Sequence, residues 1–190
     1  MVPNAAGGPL VADWIARSDP PAPGPIRYAG RMDVRVLGPV QVVDGDGPIA
    51  IDSARERAVL ATLAVNPGRT VSVARLIEGV WGADPPDTAP NTLQSHISHL
   101  RKAIGPDTLV TTNAGYHLDV PRSSIDASEF ERLLTDGSVA LDAGDPATAS
   151  KALTEALDLW RGDPFSDLAD GEFRLAQERL TLVPLRLYWK

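Results

Sequence analysis

Between residues 33 and 120 the spacing of apolar positions changes twice, and each change predicts a different kind of element. "DVRVLGPVQVVDGDGPIAID" alternates apolar and polar residues between glycine and proline punctuation, which predicts three short strands. "ARERAVLATLAVNPG" then brings Ala58, Leu60 with Val59, Leu63 and Ala64 onto a helical period and stops at Asn66-Pro67-Gly68, a first helix. "SVARLIEGVWG" follows with Ser72 as N-cap and an apolar stripe of Val73, Leu76, Ile77, Val80 and Trp81, all expected to bury. After the proline-rich "ADPPDTAP", a third helix begins, with Thr88 or Asp87 placed to cap it and Pro90 in its first turn. "LVTT", "NAG" and "YHLDV" read as a closing hairpin. The order is strands, three helices, hairpin.

"VPRSSI" reads as a short linker to a second region with helical spacing only. Its first helix carries Phe130, Leu133, Leu134 and Leu141, and its second Ala149, Ala152, Leu153, Ala156, Leu157 and Trp160, broken at Gly144-Asp145-Pro146. This small-residue spacing resembles a tetratricopeptide-like helical pair, which needs neighbours to bury its faces. A further helix is expected over about 171–182, interrupted at Pro184. Residues 1–31 hold six prolines and little periodicity beyond "LVADWIA", so they read as a flexible leader with at most a turn of helix over 10–16. Met32 is an alternative start.

Composition narrows the class. Hydrophobic residues make up 43% and charged residues 23% of 190, as in an ordinary globular chain. There is no cysteine, which excludes disulfides, thiolate metal sites and cysteine nucleophiles and fits a reducing cytoplasm. No apolar run approaches the roughly 20 residues of a membrane helix, so no membrane partner is expected. The net charge of −7 argues against nucleic acid, but the charge is unevenly spread. Residues 122–190 hold eight basic and thirteen acidic side chains, whereas residues 89–118 hold Arg101 and Lys102 against Asp107 alone.

The third helix, "APNTLQSHISHLRKAIG", contains no carboxylate. Leu93, Ile97, Leu100 and Ile104 form one narrow apolar stripe, and the opposite face gathers Asn91, Gln94, Ser95, Ser98, His99 and Lys102, flanked by Thr92 and Arg101. Amides can pair with adenine, hydroxyls can meet bases or phosphates, and Lys or Arg can neutralise phosphate or read guanine. A carboxylate there would repel a DNA backbone. The helix alone also fits a merely solvated face, but a helix-turn-helix order followed by a hairpin favours docking in a major groove.

These residues carry a family resemblance. The stretch from "ARERAVLATLAVNPG" to "GYHLDV" resembles the OmpR-type winged-helix domain of the Streptomyces antibiotic regulatory proteins, and "DASEFERLL...ALDLWRGDPFSDL" is similar to their bacterial transcriptional activation domain. The most specific parts are "LIEGVWGADPP", "NTLQSHISHLRKAIG" and "GYHL". The expected fold is therefore mainly α with small β elements: a winged helix-turn-helix over 32–121, with an N-terminal antiparallel sheet, three helices and a hairpin wing, and then a helical activation region over 126–190. The resemblance implies a DNA-binding transcriptional activator of antibiotic biosynthesis genes that binds tandem promoter repeats cooperatively and recruits RNA polymerase with its sigma factor. It places Asn91, Thr92, Gln94, Ser95, Ser98, His99, Arg101 and Lys102 on the recognition helix and Thr111, Thr112, Asn113 and Tyr116 on or beside the wing. His99 stands where the family often has arginine, and "VTTNAGY" lacks the basic residue common in the wing. The activation region stops after about 65 residues, ending in "VPLRLYWK", as expected of a truncated domain. A truncated regulator acting as a protein-interaction module is the alternative.

Other constellations carry less. His96, His99 and His117 suggest a metal, but His96 points away from the polar face, so no metal ligation is expected. Asp163, Asp167, Asp170 and Glu172 read as a solvated loop rather than catalytic carboxylates. Trp81 and Trp160 close apolar stripes and are expected to pack in the core. "GDGPIA" and "GPDTL" are turns without a phosphate-loop spacing, and no cofactor or enzyme motif is present.

Overall fold

The computed structural model describes residues 32–45 and 47–168. The leader over 1–31, the helix expected over 171–182, Asp170 and Glu172 lie outside these residues. Three strands, β1 (Asp33–Arg35), β2 (Gln41–Asp44) and β3 (Gly47–Ile49), pair antiparallel in chain order, as the alternation predicts. Val34 lies opposite Val42, and both are wholly buried, so the period of two sends the valines inward.

Helix α1 (Ala54–Ala64) starts at Ser53, whose hydroxyl accepts from the Glu56 N–H at 3.4 Å. Its last seven residues, 58–64, are all buried, because this helix is enclosed by both later helices and by the closing hairpin. Helix α2 (Val73–Trp81) is capped by Ser72, which accepts from the Arg75 N–H at 3.2 Å. Its packing on α1 is close. A Cβ built on Gly79 would lie 2.6 Å from the Thr62 hydroxyl oxygen, whose proton goes to the Ala58 carbonyl at 2.8 Å. Only Leu76 and Val80 of its expected stripe are fully buried, whereas Ile77 and Trp81 are half-buried and Val73 is 40% exposed. Among the described residues nothing covers the first turn, so the expectation that Val73 buries is not met.

Helix α3 (Ala89–Ile104) buries Leu93, Ile97, Leu100 and Ile104, the stripe expected of it, together with Ala89. Strands β4 (Leu109–Thr112) and β5 (Gly115–Leu118) form the hairpin. Gly115 begins β5 rather than sitting in the turn. A 3-10 turn over Arg122–Ser124 leads to α4 (Asp126–Asp142) and α5 (Pro146–Asp158), two packed helices separated at Gly144-Asp145. Asp145 caps α5 by accepting from the Thr148 N–H at 3.1 Å. Phe130, Leu133 and Leu134 bury as expected, but Leu141 and Leu157 are 51% and 48% exposed. No third helix meets them among the described residues. Trp160 is half-buried and meets Phe130 edge-to-face, with ring centroids 5.3 Å apart.

One hydrophobic core runs through both regions. Val36, Leu37, Ile125, Phe130 and Phe165 are buried in it together, and Val34 forms a parallel bridge with Ile125 inside the stretch that reads as a linker. The chain after α5 returns to the sheet. Arg161 N–H donates to the Leu37 carbonyl at 2.8 Å and Phe165 N–H to that of Val36 at 3.2 Å. Asp167, expected in a solvated loop, instead accepts from the Val40 N–H at 2.8 Å and pairs with Arg57. Its side chain is 22% exposed, so this carboxylate is a structural tie.

Candidate nucleic-acid interface

The outward face of α3 is assembled by the burial of its opposite stripe. Pro90 lies in the first turn of the helix, and Thr88 occupies the cap position without a side-chain hydrogen bond to that turn. Asn91, Gln94, Ser95, Ser98, His99 and Lys102 are exposed, and Thr92 and Arg101 are half-buried. Two of the hydroxyls are committed as donors. Thr92 Oγ1 donates to the Thr88 carbonyl at 3.0 Å and Ser95 Oγ to that of Asn91 at 3.3 Å, which leaves each oxygen with acceptor capacity for a ligand. Among the described residues no hydrogen bond or ion pair holds the side chains of Asn91, Gln94, Ser98 and Lys102.

Arg101 faces the hairpin. Its Nε and Nη2 donate to the Leu109 carbonyl at 2.8 and 2.6 Å, and Nη2 also reaches Thr111 Oγ1 at 2.7 Å. The guanidinium thus fastens the last turn of α3 to β4 of the hairpin. A planar fork suits this task, because two of its N–H groups converge on one acceptor.

The wing is held from the other side by Val71. Its N–H donates to the Tyr116 carbonyl at 2.7 Å and its carbonyl accepts from the Tyr116 N–H at 2.9 Å, an antiparallel bridge that adds a single residue to the hairpin. Val71 passes so close that a Cβ built on Gly115, at φ 147°, would lie 2.0 Å from its carbonyl oxygen. Thr111 and Asn113 are exposed, and Thr112 and Tyr116 are half-buried. Thr112 Oγ1 is used within the turn: it accepts from the Ala114 N–H at 3.2 Å and donates to the Gly115 carbonyl at 3.3 Å. The helix face and the wing are contiguous through Arg101 and Thr111.

One residue at this edge had no signal in the sequence. Glu56, in the first turn of α1, turns its carboxylate to α3, with Oε1 2.9 Å from His99 Nδ1 and 3.4 Å from His96 Nδ1. Glu56 lies 40 residues before His96, and no spacing rule links them. His117 is not part of this group; its Nδ1 is buried on β5 without a partner among the described residues. Trp81 packs beside His96, ring centroids 6.2 Å apart, and carries the Arg55 guanidinium 5.8 Å from its ring centre, so this tryptophan is a half-exposed platform as well as a packing residue.

Residues 50–118 match the family described as the C-terminal domain of transcriptional regulatory proteins, and residues 125–188 match the bacterial transcriptional activator domain. Among curated relatives, the regulatory protein AfsR of Streptomyces griseus is 36% identical over 84% of this chain and 17% of its own length. The transcriptional regulator RedD of Streptomyces coelicolor is 35% identical over 81% of this chain and 47% of its own length, and the regulatory protein DnrI of Streptomyces peucetius 35% identical over 82% and 61%. The chain thus spans between about a sixth and three-fifths of the length of these relatives. Among solved structures, Mycobacterium tuberculosis EmbR in complex with a low affinity phosphopeptide superposes with a TM-score of 0.76 at 33% identity, over 84% of this chain and 43% of that one.

Proposed function

The chain belongs to the Streptomyces antibiotic regulatory protein family of transcriptional regulators, and from that premise we propose that it binds promoter DNA through the outward face of α3 and the adjoining wing. A single observation carries this reading: the outward face offers Asn91, Gln94, Ser98 and Lys102, exposed and uncommitted, on a helix without one carboxylate. In a chain of net charge −7 such a face is suited to DNA, because every side chain on it can donate to a base edge or a phosphate. Asn91, Gln94, Ser98 and Lys102 read bases or phosphates, Ser95 and His99 on the same face and Thr92 at its flank add contacts, and Thr111, Thr112, Asn113 and Tyr116 bring the wing to the neighbouring backbone. Arg101 contributes by fastening the helix to the wing.

The regulated genes belong to antibiotic biosynthesis, as do the family's, and the protein works as an activator on promoter repeats, with cooperative self-association along the DNA. The helical pair α4 and α5 exposes Val139, Leu141 and Leu157 at 62%, 51% and 48%, single apolar side chains that offer points of contact for RNA polymerase and its sigma factor. The same exposed side chains favour a second reading, a protein-interaction module without specific DNA binding.

The experiment that separates the two is affinity selection of the full chain on a library of randomised duplexes, followed by anisotropy of the enriched duplex against a scrambled one across a salt series. Enrichment of a defined motif, with binding that weakens as salt rises and stays tighter on that motif, supports base readout. Salt-dependent binding without enrichment rejects it in favour of phosphate contact alone. No binding leaves the interaction module. Deleting residues 32–121 is no substitute, because Val34, Val36 and Leu37 share their core with Phe130 and Phe165.

A further inference from the structure

We propose that Glu56, His96 and His99 form a binding site for a divalent cation of the zinc type, which would clamp the first helix to the recognition helix. His96 and His99 sit three residues apart on one side of α3, and Glu56 reaches them from α1. The three side chains each offer one ligand atom, and these atoms all lie within 4.8 Å of one another. Carboxylate oxygen with imidazole nitrogen is a donor set that borderline divalent ions take readily.

The spacing fits without a change of backbone. Ligand atoms at the corners of a tetrahedron with bonds of 2.0–2.1 Å are separated by about 3.3 Å. Glu56 Oε1 stands 2.9 Å from His99 Nδ1 and 3.4 Å from His96 Nδ1, close to that edge length. The ring of His96 is 14% exposed, and its other nitrogen, Nε2, is buried with no partner among the described residues, so Nδ1 is the ring's one outlet toward a ligand. Glu56 is 15% exposed and already turned inward to this point. His99 is 60% exposed, so water reaches the cluster from its side and supplies the remaining coordination.

A metal would also change the charge of this edge. With both imidazoles neutral the cluster is net negative through Glu56, beside a helix face otherwise free of carboxylates. Bound zinc reverses that sign at His99. The site does not depend on DNA binding, since its ligands and its assay involve the protein alone.

The test is titration of the full chain with zinc chloride, followed by calorimetry and by competition with a chelating indicator, on the wild type and on His99→Ala, His96→Gln, Glu56→Gln and His117→Gln. The expected result is one equivalent bound, a loss of affinity of tenfold or more in each of the first three variants, and no change in His117→Gln. Zinc should raise the melting temperature of the wild type and leave that of His99→Ala unmoved. His99 is largely exposed, so its replacement leaves the fold intact, and a circular dichroism melt in chelator verifies this. Uptake that does not saturate at one equivalent, or that keeps its affinity in His99→Ala, would show adventitious binding to surface carboxylates and overturn the proposal.

Discussion

Both oxygens of the Asp126 carboxylate accept from the backbone N–H of Val36, at 2.8 and 2.9 Å. Asp126 opens the first helix of the second region, and Val36 follows the first strand of the first. The same carboxylate accepts from Leu37 N–H at 3.0 Å and lies 3.7 Å from the Arg161 guanidinium. Two backbone donors that leave the sheet edge without a strand partner are thereby satisfied from another part of the chain. The regions are joined by a buried polar tie as well as by apolar packing.

Replacing Asp126 by Ala would leave the Val36 and Leu37 N–H groups unpaired inside the protein. An unsatisfied buried donor costs about 1–3 kcal/mol, so the expected loss is about 2–5 kcal/mol in urea unfolding. Asp126→Asn keeps one acceptor oxygen and should fall between the two. A loss below about 1 kcal/mol in Asp126→Ala would mean that water replaces the carboxylate and that the tie is dispensable.

Acid should act on Asp126 in an unusual direction. Burial holds its carboxyl above the ordinary aspartate value, against the opposing pull of the Leu37 and Val36 N–H groups and Arg161. The native state therefore keeps the proton more readily than the unfolded state. The group's contribution to stability is fully present below the unfolded value of about 3.9 and is lost as pH rises through the raised native value. The stability of the wild type relative to Asp126→Asn should accordingly grow as pH falls from neutrality toward 4, because other titrating groups cancel in the difference. A difference that shrinks over that range would show that the hydrogen bonds outweigh burial. Asp145, exposed and held below the ordinary value by the Thr148 hydroxyl and N–H, runs the other way and loses its capping contribution as pH falls through its native value.

Gly115→Ala tests how the wing is held. With φ at 147° and a Cβ 2.0 Å from the Val71 carbonyl oxygen, alanine cannot enter without breaking the bridge between Val71 and Tyr116. Overpacking of this kind costs about 1–3 kcal/mol and backbone strain adds to it, so a loss of about 2 kcal/mol or more is expected. Amide exchange at Val71 and Tyr116 should quicken in the variant. Unchanged exchange there would place the wing's support elsewhere.

Arg101 and Lys102 are adjacent cations with different expected roles. Arg101→Lys removes the fork that grips the Leu109 carbonyl and should cost about 1 kcal/mol of stability even though charge is kept. Lys102→Ala should leave stability within about 0.5 kcal/mol and flatten the salt dependence of DNA binding by about one unit of slope. Thermal melts and salt-dependent anisotropy on the two variants make the comparison. Were Arg101→Lys neutral in the melt and Lys102→Ala neutral on DNA, the two assignments would both fail.

Local pattern was enough for the order of elements. Alternation in "DVRV" and "VQVV", the helical stripe of Leu93, Ile97, Leu100 and Ile104, the Ser72 cap and the Asp145 break all express preferences carried by residues a few positions apart, so the sequence by itself determined the strands, the helices and the polar outer face of α3. A period names a face without naming what covers it. Val73, Leu141 and Leu157 therefore share the spacing of core residues while standing 40% to 51% exposed, since only packing decides whether a neighbour arrives. The polar ties that the sequence hides join distant parts of the chain: Glu56 with His99, 43 residues on; Asp126 with Val36, 90 residues back; and Asp167 with Val40, 127 residues back. A carboxylate reads the same in a solvated loop as in a buried tie, and only the folded chain, which must find a partner for every buried backbone donor, distinguishes them.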